Sequence, residues 1–215
     1  MSQAETEHPL YWTRLSVMDF CTFTEAMQTS FSPDYPVPCL GESDLNFVIS
    51  APLGYCRPAN GALATLYFDN ANTSRTLPDN SYQIICTRQL SPSEFMLWAE
   101  QAIAMIRATL MHAGLACIDI TDLLSVLKAC ESRKLVLEII PYEDCRQVPW
   151  AQLQRFRFNQ CFAALFAGDE LSLQMYSELG GALEKINEHL DNLKLAATFH
   201  SHPLPALMLL GELEA

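Results

Sequence analysis

The sequence predicts an α/β protein in which a mixed sheet packs with helices. Three observations carry that prediction. Short apolar segments rich in β-branched and aromatic residues, LNFVIS at 45–50, ALATLYFD at 62–69 and YQIICTR at 82–88, are separated by stretches dense in proline, glycine and asparagine. A capping box, Ser91-Pro92-Ser93-Glu94, opens a long apolar run that Gly114 closes. Beyond it, strand-like and helix-like patterns alternate, which is how chains with helices layered on a sheet are written.

In order, residues 1–10 read as a loose tail, and YWTRLSVMDFCTFTEAM as a strand followed by a short helix. SFSPDYPVPCLGESD carries Pro33, Pro36 and Pro38 and reads as a loop, because proline fixes φ and removes a donor. APLGYCRPANG (51–61) and NANTSRTLPDNS (70–81) read as connections. The run 92–112 holds Phe95, Leu97, Trp98, Ile103, Met105 and Leu110, apolar on nearly every side. That predicts a long central apolar helix packed on more than one side. Glu100, Gln101 and Arg107 near its middle argue against a membrane span. Then follow a helix over 122–130, the strand KLVLEII (134–140), a helix from Pro149 to Phe156 and the strand CFAALFA (161–167). An amphipathic helix over 171–190, weakened by Gly180 and Gly181, precedes the strands LKLAATF (193–199) and ALMLLGELE (206–214). The link between these last two is too short for a parallel crossover and predicts an antiparallel hairpin. The organisation expected is a reduced α/β region over 1–90, a central helix over 91–113 and a second α/β domain over 114–215.

The chain has 215 residues, half of them apolar, and a net charge of -12. That composition folds, and its sign disfavours nucleic acid and anionic membrane as partners, since both need a positive field. The eight cysteines stand singly with no Cys-x-x-Cys pair, which predicts buried free thiols in a reducing, cytoplasmic setting and no zinc site. The start, MSQAETEHPLYW, is acidic and polar, unlike a signal peptide, so the sequon Asn72-Thr73-Ser74 reads as chance. The Gly-x-Gly-x-x-Gly fingerprint, the Walker loop and the Gly-x-Ser-x-Gly elbow do not occur. His200 and His202 read as turn residues rather than metal ligands, and Glu143 with Asp144 as a solvated turn. Neither a metal nor a cofactor is expected.

One stretch stands apart. GLACIDITD (114–122) places Asp119 and Asp122 three residues apart among apolar side chains, where a charge is costly without a partner. The local expectation is that Asp122 is the N-cap of the helix LLSVLKA and that Asp119 serves turn amides or faces out. Residues 114–127, GLACIDITDLLSVL, resemble the loop and helix start that follow the central helix in FtsZ, the bacterial tubulin-like division protein. LSLQMYSELGG (171–181) and the preceding CFAALFAGDE resemble the next segments of that family, and the order of elements over 91–215 matches.

The resemblance implies a divergent tubulin/FtsZ-like fold. In that family the acidic loop helps position the water that attacks GTP held by the next subunit, and Asp119 and Asp122 fall on those positions. Cys117 stands where the family has an asparagine. Upstream, the length is about half the family's, and residues 51–61 offer only Gly54 and Gly61 where the family has a glycine-rich phosphate loop. Pro52 and Pro58 lack the N–H groups such a loop uses. The resemblance therefore implies a reduced N-terminal half that has lost its GTP site. The function expected is a non-enzymatic interaction protein that modulates a tubulin-like polymer or self-associates through Asp119, Asp122 and Cys117. The alternatives are a divergent GTP hydrolase completed by oligomerisation, with Asp119 and Asp122 catalytic, and an acidic adaptor or chaperone. Nucleotide binding separates the first two.

Overall fold

The computed structural model describes residues 13–22, 24–29, 32–37, 43–57, 61–141, 147–199 and 205–214. Its strands are β1 (Arg14–Asp19), β2 (Thr24–Thr29), β3 (Ser32–Val37), β4 (Leu45–Ile49), β5 (Ala64–Asp69), β6 (Ser81–Ile85), β7 (Gly114–Ala116), β8 (Lys134–Pro141), β9 (Phe158–Ala167), β10 (Asn192–Phe199) and β11 (Ala206–Leu213). The helices are α1 (Pro92–Met111), α2 (Ile120–Ala129), α3 (Trp150–Leu153) and α4 (Leu173–Ile186). All strands join one sheet in the order β3-β2-β1-β4-β5-β6-β8-β11-β9-β10-β7. Strands β1, β4, β5, β6 and β8 run parallel, β11 is antiparallel to both of its neighbours, and β9 and β10 are parallel.

The helices cover the sheet unevenly. On one face α1 and α2 pack over both halves, joining Phe47, Phe68 and Ile84 to Trp98, Ile106, Leu123 and Phe162 in one core. On the other face α3 and α4 cover only the later strands, burying Phe158, Leu165, Leu179 and Leu209. Over β1, β4, β5 and β6 that second face has no helix among the described residues. The connections 50–57 and 70–80 lie there instead, around a small cluster of Val48, Ala51 and Tyr67. Beneath them runs a register-matched row of small polar side chains, Ser16, Asn46, Thr65 and Ser81, all buried. Ser16 and Ser43 both donate to Asn46 Oδ1, and Asn46 Nδ2 donates to Thr65 Oγ1 at 3.3 Å. Buried polar atoms must be paired, and this row pairs them across strands.

Five expectations are corrected. No helix precedes α1 among the described residues. The stretch expected to form a short helix instead forms β2, and the proline-rich stretch expected to be a loop contains β3. Strand β3 is an outer strand, where a missing proline N–H costs no ladder bond. Helix α1 is amphipathic rather than packed all round: Phe95, Trp98, Ala99, Ala102, Ile103 and Ile106 are buried, while Leu97 is 66% exposed and Glu100 and Gln101 face solvent. Strands β10 and β11 do not pair. Strand β11 inserts between β8 and β9, and β10 lies parallel on the far side of β9. A short link excludes a parallel neighbour but permits an antiparallel strand one place away. Gly211 lets β11 fit there, since a Cβ would come 2.1 Å from the Gln160 carbonyl oxygen. Finally, Cys86, Cys130 and Cys161 are buried thiols as expected, but Cys21, Cys56 and Cys117 are exposed. Cys39 and Cys145 lie outside the described residues.

Among the described residues no helix is long and apolar enough to cross a membrane.

Candidate functional site

The acidic loop runs from the outermost strand β7 into α2. Gly114 is required there by close approach: a Cβ would sit 2.2 Å from the Ala197 carbonyl oxygen of β10. Cys117 is exposed, and its thiol closes the turn by accepting from Gly114 N–H at 3.4 Å and donating to Gly114 O at 3.6 Å. Asp119, not Asp122, is the N-cap of α2. Its Oδ1 accepts from Thr121 N at 2.7 Å, Thr121 Oγ1 at 2.5 Å and Asp122 N at 3.1 Å. Asp122 sits in the first turn, and its Oδ2 accepts from Asp119 N at 3.2 Å. The two aspartates thus form a reciprocal capping box, with Asp122 in the role usually held by glutamate. The extended backbone of Asp119 before the helical turn makes it the cap, and the apolar run that begins at Leu123 hides this in the sequence.

The two carboxylates differ in what remains free. Asp122 Oδ1 forms an ion pair with Lys194 Nζ of β10 at 3.0 Å, half-exposed on both sides. That contact, with Asn192 Nδ2 donating to Ser125 Oγ at 3.3 Å, holds α2 against β10. Asp119 is exposed, and all of its cap bonds use one oxygen. The Thr121 hydroxyl, ahead of the amides of Asp122 and Thr121 and the charge of Lys194, holds its carboxyl below the usual aspartate range and outweighs partial burial. It is a charged acceptor facing outward.

The second region is the carboxyl end of the parallel strands. The chain leaves β1 toward β2 on one side and β4 toward β5 on the other, so the sheet reverses its winding between β1 and β4. In open α/β sheets this is where ligands bind. Here side chains from the flanking connections gather. Asp19, at the end of β1, accepts from Cys21 N at 2.7 Å and Thr22 Oγ1 at 2.6 Å and folds the chain back into β2. Phe20 rests edge-on against Tyr55, ring centroids 4.6 Å apart, and both pack on the cluster of Val48, Ala51 and Tyr67. Tyr55 OH donates to Met18 Sδ at 3.1 Å, and Arg57 Nη2 donates to Ser16 Oγ at 3.3 Å.

One strand over, Arg75 returns from the 70–80 connection and inserts under the loop. Its side chain is fully buried against Asp69, with two bonds of 2.9 Å, and donates to the carbonyls of Ala51 at 2.7 Å and Pro52 at 3.0 Å. Gln83 Nε2 donates to the same Asp69 at 2.9 Å and to Thr73 O at 2.9 Å. The guanidinium also lies 4.6 Å above the Tyr67 ring. Its bond to Asp69 raises its pKa beyond the ordinary arginine value, so it stays charged, while burial pushes the Tyr67 hydroxyl up. A cleft of about 510 Å³ remains outside this clamp, lined by Ser50, Pro52, Leu53, Asn72, Thr73 and Phe95 among others. Its lining contains no lysine or arginine. Sequence reasoning missed Phe20, Asp69 and Arg75, because each lies at a strand end or in a loop with no motif around it, whereas Tyr55 is legible as a bulky residue in the 51–61 connection.

Among the described residues no three His, Cys, Asp or Glu side chains group to hold a metal ion. His200, His202, Glu143 and Asp144 lie outside the described residues.

No protein-family model matches the chain, and no curated protein matches its sequence. Solved structures do match its fold. The FtsZ W319Y mutant of M. jannaschii superposes with a TM-score of 0.55 at 11% identity, covering 79% of this chain and 65% of that one. CetZ from Methanosaeta thermophila strain DSM 6194 gives 0.54 at 13%, covering 81% and 62%. CetZ2 from Haloferax volcanii, a GTPγS-bound protofilament, gives 0.55 at 12%, covering 80% and 66%. This chain therefore spans less than two thirds of each of these proteins. The likeness is one of fold, and the chain has a tubulin/FtsZ-like fold.

Proposed function

We propose that this chain is a non-enzymatic protein of tubulin/FtsZ-like fold that has lost a GTP site of its own and acts by contact, on a tubulin-like polymer or on a second copy of itself. The observation that carries the reading is the packing at the switch point between β1 and β4, where Phe20 rests on Tyr55 and both sit on Val48, Ala51 and Tyr67. The neighbouring arginine, Arg75, is committed to Asp69 and two carbonyls and offers no positive charge to a phosphate. Pro52 adds a residue without an N–H. The Haloferax CetZ2 structure combines a nucleotide with a protofilament. In this reading the chain keeps the capacity for such contacts without the nucleotide. The contact surface is the loop 114–122, with Cys117 exposed and Asp119 outward while Asp122 braces α2 from behind. Residues 1–90 act as a reduced region, 91–113 as the connecting helix and 114–215 as the contact-bearing domain. The free buried thiols support a reducing, cytoplasmic setting, and the resemblance to FtsZ supports a bacterial cell-division role.

The test is direct. Purified protein should release neither GTP nor GDP on heat denaturation and should not bind added GTP. Added to an assembling FtsZ, it should change light scattering or GTP turnover, and Asp119→Ala should reduce that change. Sedimentation velocity reads the self-associating form. Tight GTP binding, with hydrolysis lost in Asp119→Ala, would establish a hydrolase instead. Inertness toward the polymer together with a monomeric sedimentation profile would remove the contact reading.

A further inference from the structure

The segment 147–157 differs in charge from the rest of this acidic chain. It carries Arg155 and Arg157 and no carboxylate, whereas the whole chain has 25 Asp and Glu against 13 Lys and Arg. Leu153 and Phe156 anchor it, buried with Leu179 and Leu183 of α4 on the sheet face opposite α1 and α2. The surface is therefore separate from the loop 114–122. Trp150 is left 40% exposed. Lys185, exposed on α4, holds its Nζ 5.7 Å from the centre of the Trp150 ring, although Glu184 and Glu188 stand near it in the chain. The exposed Arg155 guanidinium lies 5.9 Å over the Phe156 ring, and Arg157 follows, also exposed. Lys185, Arg155 and Arg157 form no ion pair among the described residues.

An exposed tryptophan beside arginines is the composition that dominates the energetics of protein interfaces. Guanidinium groups without an ion pair take carboxylates in two-bond contacts, and an ammonium resting on an exposed ring stays open to a carboxylate from outside. The local sign decides the occupant, because the chain's remaining charge is screened beyond about 8 Å at physiological salt. Three cations are too few for nucleic acid, whose affinity comes from releasing counterions along many phosphates. We propose that Trp150, Arg155, Arg157 and Lys185 dock an acidic segment of a partner protein, its carboxylates on the cations and one apolar side chain against the indole. The docking is independent of whether the chain has lost GTP.

Fluorescence anisotropy with the full chain tests it, using a labelled, end-blocked Glu-Asp-Leu-Glu-Asp-Leu peptide. A Gln-Asn-Leu-Gln-Asn-Leu peptide and a short oligothymidylate with the same label serve as comparisons. The acidic peptide should bind saturably and about tenfold more tightly than the neutral one, the scale of a charge-assisted bond. Arg155→Gln combined with Lys185→Gln should weaken it about tenfold, and Trp150→Ala should weaken it several-fold. These three positions are exposed, so melting temperatures should stay near the wild-type value. Lys128→Gln removes an exposed cation from α2, on the opposite face, and should leave affinity unchanged. The proposal is overturned if the acidic peptide binds no better than the neutral one, or if the double variant or Trp150→Ala keeps full affinity. It also fails if Lys128→Gln weakens binding as much as the double variant, or if the oligothymidylate binds more tightly than the peptide, which would assign the patch to nucleic acid. Sedimentation velocity of the chain alone should show no dimer that depends on Lys185; a dimer dissolved by Lys185→Gln would assign the surface to a second copy instead.

Discussion

The two ends of the sheet solve the same packing problem differently. From β8 onward helices cover both faces, so Phe162 and Leu165, which point to opposite faces of β9, are both buried in hydrocarbon. From β1 to β6 only the α1 face is apolar. The opposite face turns polar, row by row, and its cover is loop held down by Arg75 and Arg57. A loop cannot bring a continuous apolar stripe to a sheet, but it brings carbonyls that need donors. The polar face and the buried arginine are therefore two parts of one arrangement, and they stand at the strand ends where an α/β sheet otherwise admits a ligand.

That contrast gives its sharpest test at Arg75. Arg75→Ala leaves Asp69 charged, buried and without its cation, and should cost about 3–5 kcal/mol of stability in urea melts. Removing both charges, with Asp69→Leu and Arg75→Met, should cost less than the single change, although the Ala51 and Pro52 carbonyls still lose their donor. A double variant as unstable as the single one would show that the carbonyl contacts, not the charge pair, hold the loop. In the helix-covered half, Phe162→Ala should cost about 3–5 kcal/mol through cavity formation, and no second substitution of charge relieves it. Equal rescue in both halves would erase the distinction.

At the α2 start the effect is smaller and reverses the sequence expectation. Asp119→Ala should cost about 1 kcal/mol by removing the cap. Asp122→Ala should cost about 0.5 kcal/mol, because its ion pair with Lys194 is half-exposed and solvent screens it. The order is read from paired denaturation curves. The pH dependence follows from the lowered Asp119 pKa. The unfolded chain takes up that proton more readily, so the stabilisation is present above the ordinary aspartate pKa of about 3.9 and is lost as pH falls through the lower folded value. The stability gap between wild type and Asp119→Asn should narrow across that acid window.

The smallest effects concern thiols. Burial pushes Cys130 up to about 11 and Cys161 up to about 12. Iodoacetamide at mildly alkaline pH should modify Cys21, Cys56 and Cys117 in the native protein and spare Cys130 and Cys161, as peptide mass mapping would read. Early labelling of Cys161 would mean that β9 opens without global unfolding.

Much of the secondary structure is legible in the residues themselves. The Ser91 capping box opens α1 because capping is local chemistry, complete within a turn of chain, whereas the helix closes at His112 and Gly114 already belongs to β7. The runs of β4, β5, β8 and β9 announce strands because short stretches dense in apolar, β-branched and aromatic residues stand between turn-rich connections. GLACIDITD is likewise visible as two carboxylates in an apolar context. What local pattern does not contain is which neighbour a segment meets. That α1 leaves Leu97 in solvent, that β11 enters between β8 and β9, and that Asp119 takes the cap while Lys194 takes Asp122 all depend on contacts between residues far apart in the chain. The same holds for the grouping at the switch point. Phe20, Tyr55, Asp69 and Arg75 carry no motif, and their meaning arises when the register of β1, β4 and β5 brings three loops to one end of the sheet. Local free energies are written residue by residue, whereas a site made of loop ends exists only after the strands between them have paired.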